Sequence, residues 1–198
     1  MSAFTWPPDA ARSQASSSHA GEATPAAVLV ALFRAGERSE PHLVLTRRRA
    51  DLRRHAGEIS FPGGRKDDDD ADLATTALRE AEEEIGLPRA EVELIGELPT
   101  VSTFATGYVI HPYVGTISGP AAWSVSAREV DAVLELALAD VSDGLTRTQL
   151  ERRGIKFETD AYIVGEHLIW GATARIIAHL LERLRAPERG ALSLAEPA

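Results

Sequence analysis

Residues 61–64 read Phe-Pro-Gly-Gly, and residues 79–87 read Arg-Glu-Ala-Glu-Glu-Glu-Ile-Gly-Leu. The second stretch closes the clearest helix in the chain, expected over residues 73–85. Ala74, Ala77, Leu78, Ala81 and Ile85 recur at intervals of three and four and form one apolar stripe. Gly86 and then Pro88 stop the helix. On it Glu80 and Glu84 are four apart, so they share one face about 6 Å apart along the axis. Glu83 lies beside them, and Arg79 is placed to pair with Glu83. Such a cluster repels itself unless cations sit in it. Hard divalent ions take a few carboxylates together with waters and phosphate oxygens, so acids beside a glycine turn point to metal-assisted phosphate chemistry. An arbitrary Glu run is usually a solvated helix face. Here the apolar stripe fixes the direction of the cluster, and only Arg79 is near enough to offset it.

The rest of the chain narrows the class. At 198 residues it fits one domain with a sizeable core. A net charge of −9 disfavours a nucleic-acid backbone as partner. The absence of cysteine excludes a disulfide scaffold, a thiolate zinc site and a cysteine nucleophile. No apolar run is long enough for a membrane span and no signal peptide is apparent, so a cytoplasmic protein without a membrane partner is expected.

Residues 1–25, rich in Ala, Ser and Pro, read as a tail or surface arm, and residues 186–198 as a second tail. Between them residues 26–185 make one domain. Residues 26–33, AAVLVALF, are a buried strand, and 42–46 a second strand joined to it by a hairpin-like connection. Residues 47–60, dense in Arg, read as a loop. Strands are expected over 92–98, 109–117 and 162–164, a short helix over 141–152, and an amphipathic helix over 172–184. Residues 127–136 are ambiguous, although their alternation of acidic and apolar residues suits a half-buried strand. This order predicts an α/β or α+β layered domain with helices on both sides of a mixed sheet. Two decoys are set aside. Gly63-Gly64-Arg65-Lys66 lacks P-loop spacing. The acids from Asp67 to Asp72 lack the glycine and glutamate of a calcium loop and read as a solvated loop leading into a helix N-terminus.

Residues 64–87 resemble the Nudix box: Gly, five residues, Glu, seven residues, then Arg-Glu-apolar-x-Glu-Glu-x-Gly-apolar. Arg79, Glu80, Ala81, Glu83, Glu84, Gly86 and Leu87 fall on its second half. The first half departs from it. The interval from Gly64 to Arg79 is one residue longer, and Asp70 is the acid nearest the slot of the missing Glu. Residues 43–64, LVLTRRRADLRRHAGEISFPGG, look like the second signature of the coenzyme A pyrophosphatase branch of Nudix hydrolases. Thr46, Arg48, Leu52, Arg53, His55, Gly57, Glu58 and residues 61–64 match it, and that branch tolerates the longer box. Residues 99–115, 129–138 and 169–174 also look similar to the branch.

The resemblance implies a Nudix-like α/β/α sandwich with a mixed central sheet. It implies hydrolysis of coenzyme A to 3′,5′-ADP and 4′-phosphopantetheine with Mg²⁺ or Mn²⁺. Glu80 and Glu84 match the family's metal-binding glutamates, and the Gly64 carbonyl is a further candidate ligand. Glu83 is either a third ligand or the group that orients or deprotonates water. The family varies in where its base lies, and Glu58 and Glu97 are weaker candidates. Arg47, Arg53, Arg54 and Lys66 are candidate cations for substrate phosphates, each balanced by an ordinary reading as solvated loop charge. His55 equally suits a loop histidine satisfied by a carbonyl. Two alternatives stand beside this one: a diphosphatase for ADP-ribose, NADH or another nucleotide, and a non-catalytic binding module of the same fold.

Overall fold

The computed structural model describes residues 23–37, 39–51, 57–103, 107–119, 122–152 and 154–185. The expected tails, apart from residues 23–25, and the candidate residues Arg53, Arg54 and His55 lie outside these. Among the described residues eleven strands and three α-helices follow one another, with a short 3-10 helix at Arg89–Glu91. They are β1 (Thr24–Ala35), β2 (Glu40–Arg48), β3 (Ile59–Ser60), β4 (Gly63–Arg65), α1 (Leu73–Ile85), β5 (Glu93–Glu97), β6 (Val101–Ser102) and β7 (Tyr108–Thr116). Then come β8 (Val130–Ala137), α2 (Leu138–Asp143), β9 (Leu145–Arg152), β10 (Ile155–Val164), β11 (His167–Trp170) and α3 (Gly171–Arg185).

The large sheet is mixed. Its path is β3-β2-β1-β7-β5, with β4 on β1, β6 on β7 and β8 on β2. Only β1 and β7 run parallel; every other pair is antiparallel. β9, β10 and β11 form a separate antiparallel sheet. The unbroken apolar run of β1 is explained by burial of both its faces. Ala27, Leu29, Ala31 and Phe33 pack with Ala77, Ala81 and Ile85 of α1. Val30 and Leu32 pack on the opposite side with Ile176, Ile177 and Leu180 of α3. The result is the expected α+β sandwich, with helices on both sides of a mixed sheet. Among the described residues no helix is long and apolar enough to cross a membrane.

Three expectations change. The helix expected over 141–152 is six residues of α2 followed by β9. Gly144 ends α2, donating its N–H to the Asp140 and Val141 carbonyls, and a side chain there would run into the Ile163 carbonyl. Beyond it, Leu145 to Arg152 pair residue by residue with β10, which starts at Ile155, well before the expected strand. Of residues 127–136, the part from Val130 on belongs to a strand, β8, paired with β2. The Arg-rich stretch expected as a loop is strand at both ends, since β2 runs through Arg48 and β3 begins at Ile59.

Candidate active site

The glycine pair forms β4, laid antiparallel on β1 with Gly63 opposite Val28 and Gly64 opposite Ala27. Gly63 excludes a side chain, and Gly64 admits one only if Glu80 moves. A Cβ on Gly63 would strike the Ala27 carbonyl and Val28, and one on Gly64 would strike the Glu80 carboxylate. The turn therefore stays slim so that α1 can lay its acids against backbone. Asp72 caps the helix, accepting from the Thr75 N–H at 2.7 Å, and Gly86 closes it in the left-handed region with φ of 70°.

Glu84 is 7% exposed and accepts the Gly63 N–H at 3.2 Å. The nearest cationic group the structure gives it is the Arg48 guanidinium, 4.0 Å away. Burial pushes its carboxyl up to about 7, against the pull of the Gly63 N–H. Burial also raises Glu80, and the Arg79 guanidinium 3.0 Å from it opposes the shift. Glu83 is more open, with its side chain 58% exposed, and takes an Arg79 N–H at 3.1 Å.

Arg79 is the hub of the group. It grips Asp70 through two bonds of 3.0 Å, touches Glu80 and Glu83, and donates to the Arg65 carbonyl at 3.2 Å. Asp70 is buried and also accepts the Thr76 hydroxyl and the Asp67 N–H. Held foremost by Arg79, its carboxyl lies well below the usual range. The acid run before α1 is thus not uniformly solvated. Asp70 is drawn inward because the long loop brings it over the first turns of α1, where Arg79 and Thr76 await it. Lys66 is fastened to this loop, donating to the Asp70 carbonyl at 2.6 Å.

The arginines of β2 diverge. Side chains alternate along a strand, so Arg48 goes to the face of Val44 and α1, whereas Arg47 goes to the face of Leu43 and Leu45. There Arg47 binds Asp131 at 2.8 Å and approaches Glu166 at 3.8 Å. Arg47 therefore lies across the strand from the carboxylates, and Arg48 is the one that approaches Glu84. Of the weaker candidates, Glu58 accepts the Arg48 N–H through its backbone carbonyl, and Glu97 lies opposite Tyr113 of β7.

Glu129 was not singled out as a site residue from the sequence. Its carboxylate is 3.5 Å from Arg48, and its charge raises Glu80 and Glu84 further. Its segment is bolted to α1 by Ser124 N–H to the Ile85 carbonyl and Ser126 N–H to the Glu84 carbonyl. It is tied to β2 by Arg49 N–H to the Glu129 carbonyl. No local spacing links it to α1, and only the resemblance of residues 129–138 pointed toward it.

Among the described residues no three acidic or histidine side chains converge into a ready-made metal cage. Glu80 and Glu83 are turned toward Arg79, and Glu84 toward Gly63. The donor set is nevertheless one of hard oxygens, and Glu84 is a buried carboxylate whose charge is poorly matched. Both features fit a hard divalent cation.

The profile of the NUDIX domain matches residues 23–147. The uncharacterized Nudix hydrolase NudL of Escherichia coli O7:K1 is 42% identical over 158 residues, 78% of this chain and 80% of its own. The same protein of Shigella boydii serotype 18 is equally similar. Among solved structures, a MutT/nudix family protein from Enterococcus faecalis superposes with a TM-score of 0.57 at 16% identity. That match covers 85% of this chain and 64% of the other, just under two thirds of its length. The NUDIX domain of Shewanella oneidensis NrtR, complexed with ADP ribose, gives a TM-score of 0.50 at 22% identity, covering 62% of this chain and 78% of that one. At such identities these two likenesses speak for the fold alone.

Proposed function

The chain belongs to the Nudix hydrolase family, whose reaction is cleavage of a pyrophosphate bond, and on this premise we propose that its substrate is coenzyme A or a derivative. The products are 3′,5′-ADP and 4′-phosphopantetheine. The observation that supports this reading is the 43–64 stretch, whose described parts include β2, β3 and the glycine strand beneath Glu80 and Glu84.

In this reading Glu80, Glu84 and the Gly64 carbonyl hold Mg²⁺ or Mn²⁺, with Glu83 as a third side-chain ligand or as the group that orients or deprotonates water. Bound there, the cation neutralises the diphosphate oxygens and lowers the pKa of a water. The chain's own part is positioning. Arg79 fixes the direction of Glu80 and Glu83 while anchored on Asp70. Arg48 supplies positive charge on the carboxylate face, where an anionic substrate enters. Lys66, Arg53 and Arg54 remain candidate contacts for the phosphates, whereas Arg47 is turned to Asp131 and Glu166.

The test is incubation of the purified protein with Mg²⁺ or Mn²⁺ and a panel of coenzyme A, ADP-ribose, NADH and dinucleoside polyphosphates, with the products identified. Coenzyme A is expected to be cut fastest. Turnover confined to the other members would overturn the coenzyme A reading, and no turnover at all would favour a binding module.

Gly64→Ala provides a second check. The added methyl meets the tip of a flexible side chain, Glu80, and not backbone. The fold should therefore survive, with a stability loss of about 1 kcal/mol, while the displaced carboxylate lowers kcat about a hundredfold. Thermal melts and steady-state kinetics measure the two effects; an unchanged kcat would detach Glu80 from the chemistry.

A further inference from the structure

On the α3 side of β2 lies a cavity of about 600 Å³, between the end of β2 with β3 and the separate sheet β9–β11. Arg47, Glu58, Leu150, Phe157, Glu166 and Trp170 are among its walls. We propose that this cavity receives the uncharged, flexible, amide-bearing arm of the substrate, which on the coenzyme A reading is its pantetheine half.

Position supports it first. Arg47 and Arg48 are consecutive, and their side chains leave β2 on opposite faces. One lines the cavity and the other approaches Glu84. β2 ends at Arg48, so the carboxylates and the cavity lie on the two faces of the same end of one strand. The Glu58 carbonyl that accepts the Arg48 N–H marks the same corner.

Charge decides which end of the molecule enters. Arg47 is the one Arg or Lys among the described lining residues, and it is already matched by Asp131 at 2.8 Å and approached by Glu166 at 3.8 Å. Glu58, Glu151 and Glu166 add negative charge. Among the described lining residues a phosphorylated group meets no uncommitted Arg or Lys, whereas amide N–H groups find the carboxylates of Glu151 and Glu166.

Shape separates an arm from a base. A nucleobase is held best against a parallel aromatic face. Phe157 and Trp170 tilt by 46° with centroids 6.0 Å apart, too close to take a base between them, and Leu150 and Leu168 continue the apolar wall. A chain of methylenes and amides conforms to such a wall, with its aliphatic carbons on the rings and its N–H groups toward the acids.

Pantetheine itself tests the assignment, because it carries the arm without the phosphates. Titrated calorimetrically into the full-length protein, it should bind the wild type and bind about tenfold more weakly to Leu150→Trp and Leu168→Trp, each of which fills part of the cavity. Leu168 is 37% exposed, so its replacement spares the core if Leu150→Trp fails to fold. With coenzyme A as substrate, KM should rise about tenfold in the folded variants while kcat stays within about twofold, as for an arm bound equally in ground and transition states. Undetectable pantetheine binding to the wild type overturns the proposal. So does pantetheine affinity or a KM unchanged in the folded variants. Failure of the wild type to cut coenzyme A sinks the functional reading instead, and the pantetheine titration is scored separately from it.

Discussion

Glu84→Gln should abolish nearly all turnover and, in metal-free protein, raise stability above the wild type at neutral and alkaline pH. Both effects have one cause. Glu84 is buried against the Gly63 N–H with only a distant guanidinium for company, and its carboxyl is raised to about 7. A carboxyl whose folded pKa lies above its unfolded value contributes stability below the unfolded value, and that contribution is lost as pH rises through the folded one. For Glu84 the window runs from 4.5 to about 7, and the shift corresponds to roughly 3 kcal/mol. Glutamine keeps the shape and can still accept from Gly63, but it carries no charge. Urea unfolding with chelator present, at pH 5 and pH 8, should show the wild type losing stability across this interval relative to the variant. Parallel curves would mean that the carboxylate is not strained by its burial. With Mg²⁺ or Mn²⁺ supplied, the variant should lose about three orders of magnitude in kcat, the scale of removing a group that stabilises developing charge. Glu80→Gln should follow in kind. Near-wild-type rates in both would remove the metal assignment.

Arg79→Ala should be the most damaging single change to the fold around α1. It leaves Asp70 buried with a charge and without its forked partner, a situation that costs about 3–5 kcal/mol. Glu80 and Glu83 lose their common anchor at the same time, so activity should fall even in molecules that remain folded. The pH dependence identifies the cause. Asp70 is depressed foremost by Arg79, so its stabilising contribution exists above its unfolded value near 3.8 and fades as pH falls through the lower folded value. The gap between wild type and Arg79→Ala should therefore narrow in strong acid. Asp70→Asn in the Arg79→Ala background should recover part of the loss, because it removes the stranded charge. A gap independent of pH, with no recovery in the double variant, would show that Arg79 acts through packing alone.

The helix that carries these residues was legible from its spacing. Its apolar stripe, its glycine stop and the acids on one face all follow from a period of 3.6, and the structure bounds it at Leu73 and Ile85 as expected. The same holds for β1, where a short run apolar at every position is typical of a strand covered on both faces. Long-range features were not legible. Asp70 reads as one acid among several until the loop is closed over Thr76 and Arg79, and Glu129 reaches the site through bonds from its segment to the last turn of α1 and to Arg49. The choice among arginines turned on a boundary. With β2 ended at Thr46, Arg47 and Arg48 are both loop charges. Once the strand runs two residues further, alternation assigns Arg48 to the carboxylates and Arg47 to the cavity.

The parallel pairing of β1 with β7 has a consequence for how the chain is made. β1 is the most apolar segment, and its antiparallel neighbours β2 and β4 leave the ribosome soon after it. Its other edge is closed only when residues 108–116 have emerged, after the whole of α1 and its carboxylates. During that interval a hydrophobic strand offers an open backbone edge to any other nascent chain. Early docking of Ala77, Ala81 and Ile85 onto the face of β1 shields its side chains but not that edge. Substitutions that weaken α1 should therefore appear first as lost soluble yield during synthesis, before any change in the finished protein can be measured.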